Sequence, residues 1–96
     1  MKKWMSVYST KADIARFFGI SRGTVYEYIK GIENEIQQGR YASCAIAEGK
    51  VNRAVFLDYM QYRKRLKNKN LRKFVPGFDA RKSYEYCLAM WEEDNG

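Results

Sequence analysis

Residues 20 to 30 read Ile-Ser-Arg-Gly-Thr-Val-Tyr-Glu-Tyr-Ile-Lys, setting hydroxyls, a cation and a glycine ahead of a helix-forming run. These side chains suit hydrogen bonding to phosphate oxygens and to base edges. Arg22 can take a guanine edge bidentately, Ser21, Thr24 and Tyr26 can bond phosphates, and Gly23 lets a backbone approach closely. Lys30 adds a cation farther along. The bland alternative is that Ser21 only caps a helix and Arg22 is only solvated. Glu27 opposes the first reading, because a carboxylate repels phosphate and accepts only from a donor such as cytosine N4; it can equally pair with Lys30 or Arg16.

Other chemistries find little support. The chain has no histidine, which excludes reactions that depend on that side chain, a His-based hydrolase or zinc enzyme among them. Cys44 and Cys87 lie far apart, in no ligand-spaced cluster and with no base to activate them, so neither a disulfide framework nor a metal site is expected. The carboxylates form no obvious pair, and no glycine-rich phosphate loop occurs. We expect no enzyme, no cofactor and no small-molecule substrate. The eight tyrosines and two tryptophans suggest base stacking, but most fall at helical core spacings. Tyr28, Tyr59, Tyr84 and Trp91 read as structural, and Tyr26 and Tyr41 as exposed.

The elements that must position residues 20 to 30 follow from hydrophobic spacing. After a short N-terminal arm, Ser9 or Thr10 caps a helix over about Lys11 to Phe18, with Ile14, Ala15 and Phe18 on one face. Gly19 ends it. From Ser21 a second helix carries Val25, Tyr28, Ile29, Ile32 and Ile36 inward as far as Gln38 and Gly39, with Gly31 as its weak point. Residues 40 to 56 hold two short β-compatible runs around a Glu48-Gly49 turn, a hairpin that is either a DNA-touching wing or a plain cover for the core. Arg40 stands at its entry, and Lys50 and Arg53 on its return strand. A third helix runs from about Val55 and fades at Lys67 to Asn70. Phe74-Val-Pro-Gly-Phe78 then breaks the chain, and Asp79 caps a terminal helix over about 80 to 93.

Ninety-six residues fit one domain, and 18 Lys and Arg against 11 Asp and Glu give a formal charge of +7, a balance that attracts polyanions. The charge gathers in Arg63-Lys-Arg-Leu-Lys-Asn-Lys-Asn-Leu-Arg-Lys73, with seven cations and no acid. Arg63, Lys64, Arg65 and Lys67 read as phosphate contacts, from a helix end or a flexible arm, that make affinity steeply salt-dependent. A membrane-surface role would need a broad apolar face opposite the charge. No run approaches the roughly 20 apolar residues of a membrane span, and the start lacks a signal-peptide core. A cytoplasmic, nucleoid-associated location in a bacterial cell is expected.

Ala15, Gly19, Ile20, Val25 and Tyr28 reproduce the buried spacing of a helix-turn-helix. The order of KADIARFFGISRGTVYEYIKGI, then GRYASCAIAEGKVNRAVFLDYMQYR, resembles the small winged-helix proteins of mobile elements, especially excisionases of phages and conjugative transposons. It is also similar to the DNA-binding head of MerR-type regulators. The resemblance covers roughly residues 9 to 66 and implies a mainly α fold with a small β-hairpin: helix, helix, hairpin, helix, plus a C-terminal helix. It implies major-groove contacts at Ser21, Arg22, Thr24, Tyr26 and Lys30, wing contacts at Lys50 and Arg53, cooperative binding to repeated double-stranded DNA sites, and DNA bending that directs an integrase toward excision. Residues 71 to 96 have no counterpart there; with Met90 and Trp91 they suit self-association or contact with a recombinase. The rival reading is a phage-type effector that uses the same fold to bind a host protein.

Overall fold

The structure, a computed structural model, describes residues 8–79 together with 81, 82, 85 and 89. It is mainly helical, with a small three-stranded antiparallel sheet. Strand β1 (Tyr8–Thr10) runs directly into helix α1 (Lys11–Phe18), whose N-terminus is capped by the Thr10 hydroxyl accepting from Asp13 N. Gly19 stops α1 in the left-handed conformation (φ 67°), which a side chain disfavours. Its N–H and that of Ile20 both return to the Ala15 carbonyl. The chain is thereby turned within three residues into α2 (Arg22–Gln37).

Hairpin strands β2 (Ile46–Ala47) and β3 (Lys50–Asn52) meet at Glu48 and Gly49, whose φ angles of 52° and 75° are the paired positive values that a two-residue turn between twisted strands favours. The expected hairpin is therefore present, but shorter at its entry. Residues Ser43–Ala45 form a 3₁₀ turn instead of strand, which buries Tyr41 and Ala45 together. The N-terminal arm also differs from expectation, because β1 completes the sheet: Thr10 opposes Lys50, Ser9 opposes Val51 and Tyr8 opposes Asn52. Sheet order is β1-β3-β2.

Helix α3 (Arg53–Leu66) starts two residues before the expected point, because Asn52 caps it by accepting from Ala54 N and Val55 N. A four-residue helix α4 (Lys69–Arg72) follows, capped by Asn68. The core lies between α1, α2, α3 and the sheet, where Ile14, Val25, Ile32, Val51 and Phe56 are wholly buried, each stabilising the fold by roughly 1.5–3 kcal/mol. Phe56 stacks on Phe18 at 5.3 Å, and Tyr28 packs against both Phe56 and Tyr59 at 5.8 Å. Gly31 of α2 is where the Tyr59 ring crosses.

Residues 74–79 return to the core through Phe78, whose ring meets Tyr41 edge-on at 5.2 Å. Asp79 accepts from Lys82 N at 3.0 Å, and Arg81, Lys82, Glu85 and Ala89 are helical; the other residues of the terminal helix expected over about 80 to 93 lie outside the described residues. Tyr84, Cys87, Leu88, Met90 and Trp91 lie outside the described residues.

Candidate nucleic-acid interface

Helix α2 is amphipathic for a simple reason: Val25, Ile29 and Ile32 recur at spacings of three and four and are buried together. That fixes the opposite side in solvent. Arg22, Tyr26 and Lys30 follow one another every fourth residue along a single exposed stripe. Gly23 is exposed beside them, and a Cβ built there would meet only Ser21 Oγ, at 3.9 Å. Nothing in the fold itself requires glycine at this position.

Ser21 caps α2 by accepting from Thr24 N at 3.2 Å, while its hydroxyl and that of Thr24 share a 2.9 Å hydrogen bond. Both therefore act first within the cap; Ser21 stays exposed and Thr24 is half-buried. No acid stands in the first turn of α2, so the positive end of the helix dipole faces Arg22 unopposed. Glu27 and Glu33 are exposed farther along.

Strand β1 joins the hairpin to this stripe. Lys50, exposed on β3, faces Thr10 across the sheet, and the next residue, Lys11, holds its ammonium 4.8 Å from the centre of the Tyr26 ring. A path of contacts thus runs from Lys50 across to Thr10, along the chain to Lys11, and on to Tyr26, one helical turn from Arg22. Lys11 was not singled out from the sequence. Its contact with Tyr26 joins α1 to α2, whereas the approach of Lys50 depends on residues 8–10 being a strand, and three residues with a buried serine carry too weak a pattern to show that.

Several cations occupy other places. Arg53, expected on the wing, is the first residue of α3: its Nε donates to Ser9 Oγ and its guanidinium lies 4.7 Å over the Phe17 ring, tying β1 and α1 to α3. Arg63 is half-buried over the Tyr28 ring at 4.7 Å, with its Nε buried and unbonded. Arg40 is turned inward as well. Its Nε and Nη2 donate to Asp58 Oδ2 at 3.1 and 2.8 Å, and its Nη1 donates to the Pro76 carbonyl at 2.9 Å. Tyr41, expected in solvent, is buried and donates to the same oxygen at 2.6 Å. Burial, followed by the bond to Asp58, raises the Tyr41 phenol far above its usual range. For Arg40, burial alone would lower the pKa, but the bonds to Tyr41 and Asp58 outweigh it.

Lys64, Arg65 and Lys67 are exposed. They sit at the end of α3, where Arg72 reaches back to donate to Glu35 at 2.5 and 2.8 Å and to the Leu66 carbonyl at 3.1 Å. Glu35 lies near the far end of α2, about 20 Å along the helix from Arg22 at 1.5 Å per residue. The anticipated contacts therefore fall into two groups, one at each end of α2. Glu35 and Asp58 are not legible in the sequence, because an acid at an amphipathic helix position looks like a surface residue until its partner, 37 and 18 residues away, is known.

Among the described residues, no group of His, Cys, Asp or Glu could hold a metal ion, and no helix is long and apolar enough to cross a membrane. No protein-family model, no curated protein and no solved structure matches this chain.

Proposed function

We propose that this protein is a sequence-specific, non-enzymatic DNA-binding protein of winged helix-turn-helix type, an excisionase-like architectural factor or small transcription regulator of a phage or other mobile element. One observation carries the reading. The first two turns of α2 present Arg22, Gly23 and Tyr26 to solvent, ahead of Lys30, on a helix locked by a buried opposite face and an acid-free capped start.

In this reading α2 enters the major groove. Arg22 takes a guanine edge, Gly23 allows the backbone near a phosphate, and Tyr26 and Lys30 bond the flanking strand. Lys50, held opposite Thr10 by the β1–β3 pairing, neutralises phosphates on the hairpin side of the helix. Lys64, Arg65 and Lys67 add long-range attraction from the other end of α2.

Glu27 and Glu33, exposed on α2, favour the rival, an effector that docks this helix on a host protein. The test is a mobility-shift titration against the element's attachment and promoter DNA across a salt series. Groove binding gives a site preference and a steep loss of affinity with salt. A stoichiometric host protein co-purifying without nucleic acid, and no site preference, would favour the effector.

A further inference from the structure

The basic segment after α3 carries a feature that duplex binding does not use. Arg72 turns inward to Glu35 and the Leu66 carbonyl, which pins α4 to the core and leaves its neighbours outward. Phe74 is 72% exposed and Leu71 46% exposed, two of the three large hydrophobic side chains in solvent among the described residues. Phe74 N and Val75 N bond back to the carbonyls of Leu71 and Arg72, so the Phe74 ring stands on a closed turn. The Lys73 ammonium lies 5.3 Å from the centre of that ring. Lys64, Arg65, Lys67 and Lys69 are exposed within the same acid-free stretch, and none of them enters an ion pair among the described residues.

We propose that Phe74 and the surrounding cations form a binding site for single-stranded nucleic acid, separate from the α2 stripe. A base stacks on the open ring, and phosphates on either side are met by Lys73, Lys69 and Lys67. An exposed aromatic set among cations is the recurring device of single-strand binding, because every base has a π-face and the backbone is uniformly charged. A duplex hides its bases and cannot use the ring. An acidic peptide with an apolar anchor would need a cleft beside Phe74, and Phe74 lines neither of two cavities among the described residues, one walled by Leu57 and Tyr62 and the other by Arg40, Leu66 and Arg72. This inference does not rest on the reading of α2.

The experiment is fluorescence anisotropy of the full chain with labelled dT12, rU12 and a 12-base-pair duplex, repeated for Phe74→Ala, Phe74→Trp, Lys69→Ala/Lys73→Ala and Arg22→Ala. Expected is a loss for Phe74→Ala of about 5- to 150-fold on the single strands, the range of one stacked base, with duplex affinity unchanged. Phe74→Trp retains or tightens binding, the lysine double variant lowers the salt slope, and Arg22→Ala leaves dT12 binding intact. Comparable dT12 and rU12 affinities assign the site to either strand chemistry, and a difference assigns it to one. Because Phe74 is so exposed, its variants are expected to melt like the parent, which a thermal scan verifies. Equal dT12 affinity for Phe74→Ala and parent, or tighter binding of a 12-residue polyglutamate than of dT12, overturns the proposal.

Discussion

A Cβ on Gly31 would lie 1.9 Å from the Tyr59 hydroxyl and 2.3 Å from its ring carbon. Tyr59 is buried, so its ring has little room to withdraw. What looks in the sequence like a weak point of α2 is the place where α3 crosses it. Gly31→Ala gains up to about 1 kcal/mol of helix propensity, yet overpacking costs about 1–3 kcal/mol or more. The expected outcome is a lower urea midpoint. Tyr59→Phe does not rescue it, because the ring carbon still collides, whereas Tyr59→Leu in the Gly31→Ala background recovers part of the loss. A midpoint raised by Gly31→Ala would mean the helices do not meet there.

Gly23 is the opposite case. It has open space around it, so Gly23→Ala is expected to stabilise the fold by about 0.4–1 kcal/mol. The same change places a methyl group where a DNA backbone would approach. Parallel urea titration and mobility shift should give a more stable protein with weaker binding; equal or tighter binding would remove Gly23 from the interface.

The Arg40–Asp58 pair is almost dry, with side chains 9% and 5% exposed. Removing one partner strands a buried charge, so Arg40→Met is expected to cost about 3–5 kcal/mol. Arg40→Met/Asp58→Leu removes both charges and should recover much of that in a chemical-denaturation series. The Pro76 carbonyl also loses its donor, so both variants should show faster amide exchange at residues 77–79. A double variant no more stable than Arg40→Met would show that the carboxylate is not the source of the loss.

Alkaline pH tests the same cluster. The folded state holds the Tyr41 proton more tightly than the unfolded chain does, chiefly through burial, and Tyr59 is shifted in the same direction. Their contribution to stability is therefore complete below the ordinary tyrosine pKa of about 10 and is lost as pH rises above it. The urea midpoint should be level from neutral pH to about 9 and fall beyond 10. Tyr41→Phe should be less stable at neutral pH, having lost its bond to Asp58, and should fall less steeply in alkali. Parallel curves for the two proteins would contradict the assignment.

The sequence carried the local elements well, for physical reasons that are visible in the residues. Ile14, Val25, Ile29 and Ile32 announce helices through their spacing, Gly19 and Ser21 mark a stop and a start, and Glu48-Gly49 marks the hairpin turn. Its limits were set by non-local pairing. β1 is three residues long and exists only because β3 lies beside it. Arg40, Arg63 and Arg72 are long cations, which in sequence read as outward-facing and available to phosphate; each is drawn inward by a partner from another element, Asp58, Tyr28 or Glu35. Tyr41 is buried by the same acid. The exposed stripe on α2 was legible because its opposite face is apolar, while Lys11 beside Tyr26 was not, since that contact follows from how α1 crosses α2.

The central claim is that the α2 stripe reads base sequence, and selection from a randomised duplex pool tests it most directly when parent and Arg22→Ala are run side by side. The parent is expected to enrich a defined site containing a guanine at which Arg22→Ala loses preference, with affinity for that site reduced about 5- to 150-fold, the value of one bidentate arginine–guanine contact. Enrichment of the same site with the same affinity by both proteins, or of no site by the parent, would contradict the account.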